Sequence, residues 1–112
     1  MSGIVLHDDA LAVFNQQKLQ HNAAAVVYCL NPELTHVIVE KVFPTDTPLS
    51  EVVDFLPPRD CRFITYDLKY VNDGCQMSKL TFILWCPESA KTKPKMLYSA
   101  TKRACIEKMT GV

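Results

Sequence analysis

The chain has 112 residues, of which 48% are hydrophobic and 21% are charged. This length predicts one domain over residues 1–112, with room for a single modest core. Twelve basic and twelve acidic residues cancel, which argues against nucleic-acid binding driven by overall charge. No apolar run approaches the roughly 18 residues of a membrane span. The first residues also lack the basic region of a signal peptide, so we expect a cytoplasmic protein.

The five cysteines form an odd set without a C-x-x-C pair, which favours reduced thiols over a disulfide framework. Cys29, Cys61 and Cys86 lie in apolar runs, where a thiol usually packs as a small core residue. Cys75 is the cysteine that we expect to be most exposed, because it follows a predicted turn. The three histidines show no ligand spacing to any cysteine, so we predict neither a metal site nor a cofactor.

The chain begins with a predicted helix over residues 7–20. Leu11 and Phe14 fit its 3.6-residue period. An acidic side chain at its start would accept hydrogen bonds from the free N–H groups and favour the positive end of the helix dipole. We therefore predict that Asp8 or Asp9 caps this helix.

A hairpin and a shorter helix are predicted next. Residues 24–30 and 35–42 are rich in β-branched residues and flank a proline-containing turn, which predicts two paired strands. A loop with two prolines follows. A short helix then begins near Pro48 and ends before the Pro57-Pro58 pair, since proline cannot continue a helix.

The second half predicts another hairpin and a final helix. Strands are expected over residues 59–68 and 80–86, joined through an Asn-Asp-Gly turn at residues 72–74. Residues 80–86 are almost all apolar, as in a central strand that is covered on both faces. The last helix is predicted over residues 96–109. The order α-β-β-α-β-β-α predicts a mixed sheet flanked by helices.

Three lysines lie just before this last helix, around Pro94. Lys91, Lys93 and Lys95 have an ordinary interpretation as a solvated loop, since charged runs usually face water. Their position argues for a function, because positive charge at a helix start opposes the helix dipole. Lysines and free N–H groups there could together receive one anionic group of a partner. The hypothesis of a thiol-dependent enzyme rests on the cysteine count alone.

Four blocks of this sequence resemble the actin-depolymerising factor/cofilin (ADF/cofilin) domain over essentially the whole chain. The most specific block reads Trp85-x-Pro87-Glu88-Ser89-Ala90, followed by Lys93-x-Lys95-Met96-x-Tyr98. The others are Met1-Ser2-Gly3-Ile4; Val13-Phe14-Asn15 with Lys18-Leu19; and Leu56-Pro57 with Asp60-Cys61-Arg62-Phe63 and Tyr66-Asp67. The resemblance implies an α/β fold of the α+β type, with a mixed, mostly antiparallel central sheet flanked by helices. This is the ADF-homology (gelsolin-like) fold.

The resemblance also implies a function. Family members bind actin monomers and filaments, prefer ADP-loaded subunits, and promote filament severing and depolymerisation without acting as enzymes. The monomer-contacting positions, carried over onto this sequence, are Ser2, Gly3, Ile4, Lys93, Lys95, Met96, Ser99, Thr101 and Lys102. Lys79 is the candidate filament contact.

Two regulatory features come with the same resemblance. Ser2 matches the position whose phosphorylation inactivates many members, and a phosphate would add nearly two negative charges at a surface that meets an acidic partner. The lysines also make phosphoinositide headgroups a candidate second ligand. We expect the protein to be a monomer.

The sequence departs from the family pattern in four places. Lys91 replaces a usual proline, and Arg103 stands where an acidic residue is common. Ala23-Ala24-Ala25 stands where relatives often carry basic and aromatic residues. The 112 residues also end before the further strand and C-terminal helix of typical members, so we expect a truncated domain with an unpaired sheet edge. Monomer binding would then survive better than severing. The alternative is a monomer-only or side-binding module without severing activity.

Overall fold

The computed structural model describes residues 3–109, which contain five strands and three helices. None of these helices is both long enough and apolar enough to cross a membrane. Along the chain the elements are β1 (Val5–Leu6), α1 (Asp8–Gln20), β2 (Ala23–Leu30), β3 (His36–Pro44), α2 (Leu49–Phe55), β4 (Arg62–Asn72), β5 (Cys75–Trp85) and α3 (Thr92–Lys108).

The five strands form one sheet in the order β1-β3-β2-β4-β5. Strand β1 runs parallel to β3, and the other neighbours are antiparallel. This confirms the predicted mixed, mostly antiparallel sheet. The two-residue β1 was not predicted, because a segment that short shows no period.

Helices cover both faces of the sheet. On one face, α1 and α3 pack on a core that includes Phe14, Tyr28, Phe63 and Tyr98. On the other face, α2 packs through Val52 on a smaller cluster. Successive strand residues point to opposite faces, which is why neighbours such as Phe63 and Ile64 belong to different clusters.

The cap of α1 differs from the prediction. His7 is the capping residue, and its Nδ1 accepts a hydrogen bond from the Asp9 N–H at 3.1 Å. Asp8 and Asp9 lie inside the first turn instead, where their charges still favour the helix dipole. The helix ends as expected at His21, whose φ of 50° is left-handed.

A buried polar network joins α1 to the sheet. The Gln17 amide donates to the Thr65 carbonyl oxygen at 3.0 Å, and the Thr65 hydroxyl donates to Gln17 Oε1 at 2.6 Å. The Tyr28 hydroxyl lies 3.0 Å from the Thr65 hydroxyl oxygen. The buried side chains of Gln17, Tyr28 and Thr65 therefore all have hydrogen-bond partners, which offsets the cost of removing them from water.

The β4–β5 hairpin is longer than predicted. Its strands pair from Arg62↔Trp85 to Asn72↔Cys75, around Asp73 and Gly74, which both have positive φ. This is the conformation that a two-residue type I′ turn requires. Every residue from 68 to 79 is exposed, so this stretch forms a two-stranded arm that extends beyond the core.

The prediction of a central position for the apolar strand was wrong for the part of the chain that the structure describes. Strand β5 lies at the end of the sheet order, and within residues 3–109 no strand pairs with its outer edge. Its side chains do reach both cores. Phe82 and Leu84 pack on the α1–α3 face, and Ile83 and Trp85 pack on the α2 face.

Candidate functional site

Helix α3 begins earlier than predicted, at Thr92 rather than Met96. Lys91 is its N-cap residue, without a side-chain hydrogen bond, and no acidic residue lies in the first turn. Pro94 is tolerated there because the first N–H groups of a helix have no intrahelical acceptor. The lysines therefore belong to the head of the helix, where Lys91 and Lys93 are exposed.

Lys95 has a structural contact of its own. Its Nζ donates to the Glu88 carbonyl oxygen at 2.9 Å and is less exposed than Lys93. The preceding segment is fixed at two further points. The Ser89 hydroxyl donates to the Pro58 carbonyl, and the Trp85 indole N–H donates to the Pro57 carbonyl at 3.0 Å. The head of α3 is thus held against the end of β5.

A groove of about 320 Å³ lies beside Lys93. The β2–β3 turn and the head of α3 supply its apolar walls, and Asp60 and Arg62 add charge at its base. Arg62 is held by Glu40 at 2.8 Å and Asp60 at 2.9 Å. Both of these carboxylates are bound to Arg62, and among residues 3–109 no carboxylate forms an ion pair with Lys93.

The outer face of α3 combines apolar and polar groups. Met96 is 66% exposed, and Ser99 and Lys102 are exposed on the same helix. Ala100 and Ile106 are exposed too. Met96 and Ile106 thus add exposed apolar surface beside the lysines of this helix.

The inner face of α3 contains Tyr98, Thr101 and Cys105. The Tyr98 hydroxyl accepts a hydrogen bond from the Leu30 N–H at 3.0 Å, and its ring lies 5.0 Å from that of Phe63. Burial raises the pKa of Tyr98 to about 12, so the phenol stays neutral at physiological pH. Tyr98 therefore fixes α3 on the sheet.

Two predicted contact residues are part of the core. Thr101 is 1% exposed, and its hydroxyl donates to the Leu97 carbonyl at 2.7 Å. Ile4 is 4% exposed and belongs to the same cluster as Tyr98. The sequence pattern could not separate these side chains from their exposed neighbours, because a family motif includes residues that support a surface as well as those that form it.

The N-terminal segment lies against α3. Strand β1 contacts this helix directly, and Ile4, just before β1, belongs to the same core cluster as Tyr98. Gly3 is exposed with a φ of 73°, a conformation that glycine adopts without strain. Ser2 lies outside the described residues. The fold therefore brings the two predicted parts of the contact surface, residues 3–4 and α3, to one side of the protein.

Lys79 is also close to α3. It lines a groove of about 460 Å³ together with Lys102 and Ile106. This groove joins the base of the β4–β5 arm to the second half of the helix. Sequence reasoning did not connect Lys79 with Lys102, because strand register alone does not reveal which helix lies alongside. It also missed Ile106. The one sequence feature that could have indicated it is an apolar residue on the polar face of the helix.

This surface is built from exposed charged and apolar side chains on one helix and its neighbours. Among residues 3–109, no group of three or more histidine, cysteine or carboxylate side chains could hold a metal ion. Exposed lysines alternate with exposed apolar side chains, and a rigid helix supports them. The class that these features define is a protein-binding module with a cationic and apolar contact face.

Comparison with known proteins identifies the family. A model of the cofilin/tropomyosin-type actin-binding protein family matches residues 3–112. Actophorin from Acanthamoeba castellanii is 40% identical over 112 residues, which cover all of this chain and 81% of actophorin. The chain belongs to this family of actin-binding proteins, as its motifs predicted.

Solved structures agree with this assignment. The crystal structure of Streptomyces griseoflavus cofilin matches with a TM-score of 0.89 and 34% identity, covering 98% of this chain and 81% of that one. Actin depolymerization factor 2 from Plasmodium berghei matches with a TM-score of 0.89 and 27% identity, covering 100% of this chain and 82% of that one. The predicted ADF-homology fold is confirmed.

Proposed function

We propose that this protein binds actin monomers and filaments and promotes filament severing and depolymerisation. The observation that carries the proposal is the contact between β1 and α3, with Ile4 in the same core cluster as Tyr98 of that helix. Family membership supplies actin as the partner. The protein acts as a single ADF-homology domain, as a monomer and in the cytoplasm.

The contact surface divides into two kinds of residue. Gly3, Lys93, Met96, Ser99 and Lys102 contact the actin monomer directly, and Ser2 extends this surface. The side chains of Ile4 and Thr101 support it from below. Lys95 does both, since its ammonium group also binds the Glu88 carbonyl. Lys79 extends the surface toward a second subunit in the filament.

Severing follows from differential binding. A protein that binds a twisted arrangement of filament subunits better than the straight one shifts the filament toward the twisted one. Subunit contacts are then mismatched at the boundaries between decorated and bare segments, where the filament breaks. No covalent bond is made or cut, so the protein acts as a ligand of actin and not as an enzyme.

Two regulators act on the same surface. Phosphorylation of Ser2 would place negative charge beside the acidic surface of actin and weaken the complex. Phosphoinositide headgroups would compete with actin for the lysines of α3. Ser2→Glu is expected to lower monomer affinity, and an unchanged affinity would remove Ser2 as a regulatory site.

The alanine run at residues 23–25 does not weaken the proposal. Ala23 and Ala25 are buried in β2, and Ala25 belongs to the core below α2. The run therefore contributes to packing. Having alanines there in place of larger side chains costs the contact face little.

Co-sedimentation with filamentous actin tests the function directly. The protein is expected to appear in the pellet or to raise the amount of monomer in the supernatant. Binding to monomers or filament sides with no change in soluble actin would favour the alternative, a monomer-only or side-binding module without severing activity. No binding to either form of actin would contradict both.

A double substitution tests the site. Lys93→Ala with Lys95→Ala should lower monomer affinity by about 100-fold, because charged groups at an interface centre often dominate its energy. The single substitution Lys93→Ala removes one charge and leaves the Lys95–Glu88 contact in place, so it tests the charge by itself. Lys41→Ala is the matched control, since Lys41 lies over Phe43 on the α2 face. Equal affinities of the Lys93 and Lys41 variants would contradict the assignment.

A further inference from the structure

Two free thiols meet where the β4–β5 pair enters the core. Cys61 Sγ and Cys86 Sγ are 3.2 Å apart. Both residues lie one step beyond the last register pair, Arg62↔Trp85. Cys61 belongs to the core below α1 and α3. The two side chains therefore face each other across adjacent chain segments, on the same face of the sheet.

The two cysteines differ in their surroundings. Cys61 is 0% exposed, whereas Cys86 is exposed. This corrects the prediction that Cys86 packs as an inert core residue. Burial and the neighbouring Cys86 raise the pKa of Cys61 to about 12, so its S–H is retained near neutral pH. It donates that hydrogen to Cys86 Sγ. An oxidant from solvent reaches Cys86 first.

We infer that Cys61 and Cys86 form a peroxide-sensitive dithiol that closes to an intrachain disulfide. The Cys86 thiolate attacks one oxygen of hydrogen peroxide, which forms an S–O bond, breaks the O–O bond and releases hydroxide. The Cys61 sulfur then attacks the Cys86 sulfur, and its proton leaves with the departing hydroxide as water. Two thiols and one peroxide give one disulfide and two waters.

The position of this disulfide gives it a structural consequence. Residue 86 is the last before the segment over residues 87–91 that leads into α3. That segment is held by the Ser89–Pro58 and Lys95–Glu88 hydrogen bonds. A covalent link from Cys86 to the start of β4 would add a third anchor, and it would restrict the unfolded chain as well. Oxidation should therefore rigidify the head of α3.

Peptide mapping of the intact protein tests the inference. A Cys75→Ser variant is used, because the exposed Cys75 could otherwise link two molecules. After treatment with hydrogen peroxide, the monomer mass should fall by two hydrogen atoms. Trypsin should release residues 60–62 linked to residues 80–91, a pair that dithiothreitol separates. A linked pair containing Cys29 or Cys105, or overoxidised but unlinked Cys86, would overturn the inference.

A second variant and a second measurement complete the test. Cys86→Ala in the same background removes an exposed thiol, so the protein should fold normally but gain no disulfide. The oxidised parent should melt about 5 °C or more above its reduced form, and amide exchange over residues 87–95 should slow. The same peroxide-induced shift in the Cys86→Ala protein would contradict the assignment. None of these readouts depends on actin.

Discussion

Helices α1 and α3 pack on the same face of the sheet, yet the charges of their first turns follow opposite rules. Helix α1 has a capping His7, two acidic residues in its first turn and Lys18 in its last, which together complement the helix dipole. The N-cap residue of α3 is Lys91, whose side chain makes no capping hydrogen bond, and Lys93 and Lys95 follow it. The first arrangement favours stability. The second works against it, which is consistent with the binding function proposed for these lysines.

The buried sides of the two helices differ as well. Helix α1 contributes Phe14 and the Gln17 network, which connects to two strands. Helix α3 contributes Cys105 and Tyr98, whose hydroxyl accepts a hydrogen bond from the Leu30 N–H. Substitutions can therefore separate a helix that stabilises the fold from one that presents the contact surface.

Phe14→Ala should have the largest effect on stability. It removes a fully buried aromatic ring and should lower the free energy of unfolding by about 3–5 kcal/mol. Urea denaturation measures this loss. The molecules that remain folded should bind actin monomers as before. A decrease in the free energy of unfolding of less than about 1 kcal/mol would mean that α1 is not the stabilising helix.

Gln17→Leu tests the polar network with little change in volume. It leaves the Thr65 hydroxyl without its acceptor on Gln17, so we expect a loss of about 1–3 kcal/mol of unfolding free energy. Gln16→Leu is the control, because Gln16 is an exposed neighbour on the same helix. Similar denaturation midpoints for the two variants would show that the network adds nothing to stability.

Met96→Ala should affect binding and leave the fold intact. Removing this exposed side chain should weaken actin-monomer binding by about 10-fold, and should change stability by less than about 0.5 kcal/mol. Leu19→Ala is the matched control on α1, since Leu19 is 76% exposed. Fluorescence titration with labelled monomer measures the affinity of each variant. Equal affinities for the Met96→Ala and Leu19→Ala proteins would remove Met96 from the contact surface.

Lys91→Asp should change stability and binding in opposite directions. Aspartate is a good N-cap and favours the dipole, so α3 should gain about 0.5–1 kcal/mol. The charge reversal should weaken actin binding several-fold. Lys91→Ser adds a cap with a smaller change in charge, so comparing the two variants isolates the charge. A stabilised Lys91→Asp protein with undiminished affinity would argue that Lys91 lies outside the interface.

Much of the fold could be predicted from periodicity and turn chemistry. The Asn-Asp-Gly turn predicted the position of the β4–β5 hairpin, and α2 ends before the Pro57-Pro58 pair as expected. Strand β1 could not be predicted, since it exists only through pairing with β3. The His7 cap was also missed, because histidine is a less usual capping residue than the aspartates beside it.

The site was predictable as a set of positions but not as a surface. The motif identified Lys93, Met96 and Ser99, which are exposed, but it could not show that Thr101 turns inward. Neither the proximity of Lys79 to Lys102 nor that of Cys61 to Cys86 can be predicted from local sequence. These contacts join segments that are distant along the chain, so they depend on the tertiary fold.

The β4–β5 arm has a consequence for how the protein opens. Its residues 68–79 have no core below them, so only the pairing of the two strands protects their amide hydrogens. Protection should therefore fall progressively from the base of the arm to its tip, following local fraying rather than global unfolding. Amide exchange in the arm would then distinguish the two modes of binding. Exchange near Lys79 should slow when a filament subunit covers the arm, and it should change little when a monomer occupies α3 alone.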